Sequence, residues 1–355
     1  MAALAVARRS LPPYAHKYSP KTYTQHQLFA CLVLKNFWRT DYRGAVAMLA
    51  DCPELVATLG LPRVPHFTTL QKVCRRLMAS RSVQRLLDAT VRQHLRRKRR
   101  VKSAAIDSTG LQAGCASGYF AKRRRYGKTS DKRGKKTRYH RYPKLGVVCN
   151  ARDHFVLAMH AGQGPRPDVD EFRPLVAQAQ RRVRMLRMVA DAGYDSEPNH
   201  CFARQECGIR TIIPPEHGRP TDKPATGRYR RLMQTRFDRE AYHERSQIET
   251  VISMIKRRQG SYVRGVSYWS RCRDLRLMVL THNILILVLI QVFYRAGRSS
   301  FFGPLAMSCS SETMRLRFRL CSPLANPLGR AGNLSIGKTT LLRSISQGGS
   351  RLCHG

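Results

Sequence analysis

The chain has 355 residues and is 42% hydrophobic, enough to bury a real core and to exclude a purely disordered basic tail. Lysine and arginine number 65 against 22 aspartates and glutamates, a net charge of +43. That balance calls for a polyanionic partner, with duplex DNA or RNA ahead of anionic membrane. Eleven cysteines are scattered from Cys31 to Cys353 with no C-x-x-C pair. They suggest a reduced intracellular compartment and neither a zinc site nor a disulfide framework. The opening MAALAVARRSLPPYA has no apolar core, so no secretory signal is expected.

Residues 1–20 read as a flexible start, and 21–100 as a helical region. TQHQLFACLVLKNF and DYRGAVAMLADC carry apolar residues at helical spacing, and the prolines of LGLPRVPHF break the pattern. TTLQKVCRRLM resumes it, with Thr68 and Gln71 spaced for a capping box. A basic helix among short ones fits a helix-turn-helix module, and fits a packing domain with solvated arginines equally well.

From residue 101 to 296 the periodicity changes to that of an α/β layer. AAID and MVAD are short apolar strands that end in Asp107 and Asp191, LGVVCN and FVLAMHAG form a hairpin about ARDH, and GIRTII adds a strand. DEFRPLVAQAQRRV is a helix between them. The basic insertion 121–144 contains Lys122, Arg123, Arg124, Arg125, Lys135, Lys136 and Arg138 with interleaved tyrosines, a mixture suited to a nucleic-acid groove. LMVLTHNILILVLIQVF is the membrane candidate. Thr281, His282, Asn283 and Gln291 interrupt it, so a buried core helix is expected.

Two aspartates at strand ends of one sheet make a divalent-metal site plausible, because hard cations take carboxylate oxygens. A third carboxylate has two candidates in YHERSQIETVISMIKRR. With Tyr242 at zero on one helical wheel, Arg245, Glu249 and Lys256 fall at roughly 300°, 340° and 320°, beside the apolar arc of Ile248, Val251, Ile252 and Ile255. Glu249 therefore borders the core, whereas Glu244 reads as a helix-start charge favoured by the dipole. At this point an ion pair with Arg245 explains Glu249 as well as metal ligation does.

The spacing Tyr242, Arg245, Glu249, Lys256 resembles the Y-R-E-K signature of bacterial insertion-sequence transposases of families four and five. AIDSTGL resembles the family's first-aspartate strand, VADAGYDS its second-aspartate segment with Asp191 in the acidic position and not Asp195, and LGLPRVPHFTTLQKVCRRL its N-terminal region. The resemblance covers roughly residues 16–296. It implies a ribonuclease-H-like mixed sheet flanked by helices after an all-helical region. It also implies a DDE triad of Asp107, Asp191 and Glu249 that holds two Mg²⁺ or Mn²⁺ ions. The implied activity is cleavage at transposon ends and joining of the 3′-OH to target DNA, with a catalytically inactive DNA-binding remnant as the alternative. Tyr242, Arg245 and Lys256 would contact DNA. The implied partners are double-stranded DNA, as terminal repeats and target, and further copies of the chain in a dimer or larger synaptic complex. The resemblance also implies no membrane partner and a setting in the bacterial cytoplasm at the nucleoid. The tail 297–355 has no counterpart in the family and reads as disordered. Its GNLSIGKT (Gly332–Thr339) satisfies a phosphate-loop pattern but lacks the strand before it and the chain after it, so it reads as a chance match.

Overall fold

In the computed structural model, which describes residues 1–95, 99–114, 141–215 and 225–299, the chain opens with helices. They are α1 (Ala2–Ser10), α2 (Gln25–Phe37), α3 (Tyr42–Ala50), α4 (Pro53–Thr58), α5 (Phe67–Leu77) and α6 (Ser80–Leu95). The start expected to be flexible is thus helical from its second residue. Ala2, Ala3, Leu4, Val6 and Ala7 give it an apolar face, which is buried where α1 meets α2 and α6.

Thr24 caps α2 with a full capping box: its hydroxyl accepts the Gln27 N–H at 3.2 Å, and Gln27 Oε1 accepts the Thr24 N–H at 2.8 Å. The box expected at Thr68 and Gln71 does not form. α5 is capped earlier, at His66, and the Thr68 hydroxyl meets the His66 ring at 2.8 Å instead.

β1 (Arg100–Gly110), β3 (Tyr142–Asn150), β4 (Val156–Gly164), β5 (Arg184–Val189) and β6 (Arg210–Ile212) form one mixed sheet in the order β4-β3-β1-β5-β6. β1 is central, antiparallel to β3 and parallel to β5, and the β3–β4 hairpin turns where ARDH placed it. β2 (Gln112–Ala113) pairs in parallel with β7 (Tyr262–Val263). The remaining α-helices are α7 (Val169–Gln180), α8 (Glu197–Cys201), α9 (Arg228–Thr235), α10 (Arg239–His243), α11 (Ser246–Gln259) and α12 (Tyr268–Ser299), with a short 3-10 helix at Ala192–Tyr194 and a π-helix at Phe202–Glu206. α7 and α12 pack on β3 and β4, and α11 packs on β1.

The helical region and the sheet share one continuous core, and Met1–Ser299 is one compact unit. The change of periodicity near residue 100 therefore marks a change of layer, not a boundary in space. Buried Arg182 shows the join: it meets Asp88 and Gln84 of α6 and donates to the Leu157 carbonyl of β4 at 3.0 Å.

α12 is long and apolar enough to cross a membrane by length and composition, yet 61% of its most apolar window is buried within the protein. Thr281, His282 and Asn283, which interrupt that stretch, are fully buried. Asn283 Oδ1 accepts the Val156 N–H at 3.0 Å and its Nδ2 donates to the Val156 carbonyl at 2.9 Å, while His282 Nε2 meets the His154 carbonyl at 2.9 Å. His282 and Asn283 dock an apolar helix on the start of the edge strand β4.

Candidate active site

The parallel β1–β5 ladder ends with Ala105 opposite Val189. Asp107 and Asp191 each follow two residues later in extended backbone, Asp107 still within β1 and Asp191 just past the end of β5, so both acids leave from the same end of the ladder. Asp107 is not the last residue of its strand, as the sequence suggested. β1 runs on to Gly110 because its other edge stays paired with β3, where Asp107 faces Val147. Burial pushes the Asp107 carboxyl up to about 6. The Ser108 N–H at 2.7 Å and the Arg245 charge oppose that rise, and the charges of Asp191 and Asp168 add to it.

The single helix expected from Tyr242 to Arg258 is interrupted. α10 ends at His243 and α11 begins at Ser246. Between them the backbone tightens into i,i+3 bonds, Arg245 N–H to Tyr242 carbonyl at 2.9 Å and Ile248 N–H to Arg245 carbonyl at 3.1 Å. Such turns advance about 120° per residue, so one wheel does not serve the whole stretch. The break moves the helix-start position from Glu244 to Glu249. Glu249 is the acid in the first turn of α11, and Glu244 lies at the junction, paired with Arg187 of β5 at 3.0 Å.

Ile248, Val251 and Ile255 bury α11, and its far end is pinned by Lys256, whose ammonium donates to Thr109 Oγ1 at 2.6 Å, two residues after Asp107. Glu249 stands 54% exposed and meets Arg245 at 2.8 Å. Arg245 also lies over the Tyr242 ring, 5.8 Å from its centroid. Burial raises the Tyr242 hydroxyl above its ordinary range. The Arg245 charge opposes the shift, and the charges of Asp191 and Glu249 reinforce it. The four signature residues and both aspartates thus meet at one end of the sheet, with Arg245 the cation that senses Asp107 and binds Glu249.

Among the described residues no three acidic, histidine or cysteine side chains are close enough to hold one metal ion. The donor chemistry nevertheless suits a hard cation. Asp107 and Asp191 offer carboxylate oxygens whose mutual repulsion a cation would relieve, and the Glu249 carboxylate is drawn aside to Arg245. Asp195, the neighbouring aspartate, is taken up by Arg230 at 2.7 Å and His200 at 3.3 Å.

Sequence reasoning missed a second group. Asp168, just before α7, receives the Ser108 hydroxyl at 2.5 Å and the Lys144 ammonium at 2.7 Å. Lys144, expected at the edge of a DNA-facing insertion, is instead 4% exposed in β3 and also reaches Glu171 at 3.3 Å and the Arg166 carbonyl at 2.6 Å. A Cβ at Gly146 would come within 2.5 Å of Glu171 Oε2, so glycine makes room on β3 for that acid. The available signal was position: Asp168 follows the end of a strand, as Asp191 does. Lys122, Arg123, Arg124, Arg125, Lys135, Lys136 and Arg138 lie outside the described residues, as does GNLSIGKT.

A family model described as a transposase DDE domain matches residues 102–284, more than half of the chain. Among solved structures, the piggyBac transposase synaptic complex with hairpin DNA is 12% identical with a TM-score of 0.42, covering 91% of this chain and 78% of that one. The Mos1 strand transfer complex is 12% identical with a TM-score of 0.20, covering 70% and 82%. A pre-cleavage Mos1 transpososome is 11% identical with a TM-score of 0.19, covering 78% and 82%. No curated protein matches. The chain belongs to the transposase DDE domain family, DNA transposases whose strand cleavage and transfer depend on divalent metal ions.

Proposed function

We propose that Asp107, Asp191 and Glu249 are the catalytic carboxylates of this transposase and hold two Mg²⁺ or Mn²⁺ ions. The chain would cleave the ends of a mobile element and join the freed 3′-OH to target duplex. The observation that supports this reading is the β1–β5 register, which ends two residues before both Asp107 and Asp191, with the helix that bears Glu249 packed on β1. When bound, the ions would activate the attacking oxygen and stabilise the leaving one.

The chain's own groups supply the rest. Arg245 and Lys256 stand on either side of Glu249 along the sequence and bring cationic donors to a phosphodiester at the sheet end. Arg245 is already half committed to Glu249, so it can exchange the carboxylate for a DNA phosphate as Glu249 turns inward. Tyr242, packed against Phe237 at 5.1 Å and under Arg245, fixes the approach of that guanidinium. The basic residues Lys122, Arg123, Arg124, Arg125, Lys135, Lys136 and Arg138 would track the DNA backbone, helped by the helices of residues 21–100. Terminal repeats and target would be synapsed by two or more copies of the chain, working on the nucleoid in the bacterial cytoplasm.

The test is end cleavage and strand transfer on a terminal-repeat duplex with Mg²⁺, comparing wild type with Asp107→Asn and Glu249→Gln. Loss of both steps in the variants, with DNA binding retained, supports the assignment. Equal activity in all three proteins sinks it. DNA binding without metal-dependent cleavage in the wild type would point to an inactive remnant.

A further inference from the structure

Asp168 occupies the N-cap position of α7, where an aspartate ordinarily turns back to accept amide protons of the first helical turn. Its side chain makes no such bond. Oδ1 accepts the Ser108 hydroxyl at 2.5 Å and the Lys144 ammonium at 2.7 Å. Ser108 in turn gives its backbone N–H to Asp107 Oδ1 at 2.7 Å. The second oxygen of Asp168 is on the Asp191 side. A Cβ placed on Gly193 would sit 3.7 Å from Asp168 Oδ2 and 3.3 Å from Asp191 Oδ1. One side chain therefore reaches the first aspartate through Ser108 and shares the space above Gly193 with the second.

Lys144 explains why this conformer is held. Its buried ammonium is closer to Asp168 than to Glu171, 2.7 Å against 3.3 Å, and the Arg166 carbonyl at 2.6 Å fixes its direction. An ion pair serving α7 alone would leave Asp168 free to cap that helix. Instead the carboxylate is turned toward the two aspartates.

We propose that Asp168 is a fourth carboxylate of the active site, a positioning residue that orients Asp107 through Ser108 and strengthens divalent-cation binding beside Asp191. The proposal rests on the reading of Asp107 and Asp191 as metal ligands. Carboxylates that support ligands in this way typically change metal affinity by about 10–100-fold.

The experiment measures Mn²⁺ binding to the full-length protein by calorimetry and electron paramagnetic resonance, without DNA, and compares Asp168→Asn with wild type. Asp168→Asn keeps the shape and an acceptor for Ser108 but removes the charge; it should weaken Mn²⁺ binding about tenfold. Asp170→Asn, an equal charge change on exposed α7 surface, should leave binding unchanged. Ser108→Ala cuts the link and keeps every charge. It should weaken binding by a smaller factor and raise the ratio of Mn²⁺- to Mg²⁺-supported cleavage. If Asp168→Asn does not fold, as judged by thermal unfolding, Ser108→Ala decides alone. Wild-type Mn²⁺ affinity in the folded Asp168→Asn and in Ser108→Ala overturns the proposal, provided Asp107→Asn has lost it. Undiminished affinity in Asp107→Asn as well would overturn the metal-site reading itself.

Discussion

Replacing Asn283 with alanine should strike the joint that seats α12 on the sheet. β4 is an edge strand, and Asn283 stands where a neighbouring strand would, pairing with both the N–H and the carbonyl of Val156. Its amide also donates to Thr90 Oγ1 of α6 at 3.2 Å, so one side chain ties α12 to a strand and a helix. Asn283 and Val156 are both fully buried. Alanine removes three hydrogen bonds and orphans two backbone groups, each costing about 1–3 kcal/mol, so the expected loss is about 3–5 kcal/mol. At about 2 °C or more per kcal/mol for a unit of this size, Tm should fall by roughly 6–12 °C. Urea unfolding and thermal melts followed by circular dichroism measure the two quantities, with Asn283→Leu as a variant that restores volume but not pairing. A loss below about 1 kcal/mol in both variants would refute the account, because it would mean that Val156 needs no partner from α12.

His282, one residue earlier, gives a pH dependence. Burial pushes its ring down to about 4, against the opposing effect of its bond to the His154 carbonyl, and the nearby Arg258 and His154 charges act in the same direction as burial. Because the folded value lies below the unfolded one, the unfolded chain takes up a proton first as pH falls below about 6.5. Stability present at pH 7.5 is therefore lost on the way down toward 4, by about 2 kcal/mol at pH 5. Urea midpoints of wild type and His282→Gln should differ in this slope, and identical slopes would count against it. Arg245→Gln should change stability by under about 0.5 kcal/mol, since its pair with Glu249 is partly exposed. The same variant should lower the slope of log affinity for DNA against log salt by about one; an unchanged slope in filter-binding titrations would remove Arg245 from the DNA interface.

What the sequence made legible, and what it hid, can be traced to the range of the interactions involved. The hairpin about ARDH, the strands at AAID and MVAD and the burial of LMVLTHNILIL (Leu277–Leu287) are written in local periodicity and stand in the structure, whereas Val288, Ile290 and Val292 further along the same segment are exposed. The docking role of His282 and Asn283 was not readable, because His154 and Val156 lie more than a hundred residues away. The capping box was assigned to Thr68 and Gln71 although Thr24 and Gln27 have the same spacing and form one; local pattern offers both, and tertiary packing chooses. Lys144 was lost inside a run of like charges. A run read as facing nucleic acid cannot reveal the one ammonium that β3 carries inward to Asp168. Asp168 itself was hidden behind its helix-start position, the commonest reason for an aspartate to be there.

The charge of the whole chain and the charge of the site are opposed, and that opposition has a mechanical consequence. A chain of net charge +43 draws phosphates from any direction, yet Asp107, Asp168 and Asp191 gather at one sheet end. A divalent cation is attracted to that local reversal of sign, and a DNA phosphate to the arginines and lysines around it. Arg245 and Glu249 sit at the border and bind each other at 2.8 Å. An exposed i,i+4 pair of this kind contributes about 0.3–0.5 kcal/mol. Each partner can therefore leave the other at slight cost, which the proposed roles require of them, Glu249 for a cation and Arg245 for a phosphate. The Lys144 ammonium, 4% exposed and shared between Asp168 and Glu171, could not let go so cheaply, since a buried cation that loses an acid loses part of its compensation. The strong pairing thus lies where the site must stay fixed, and the weak one where it must rearrange.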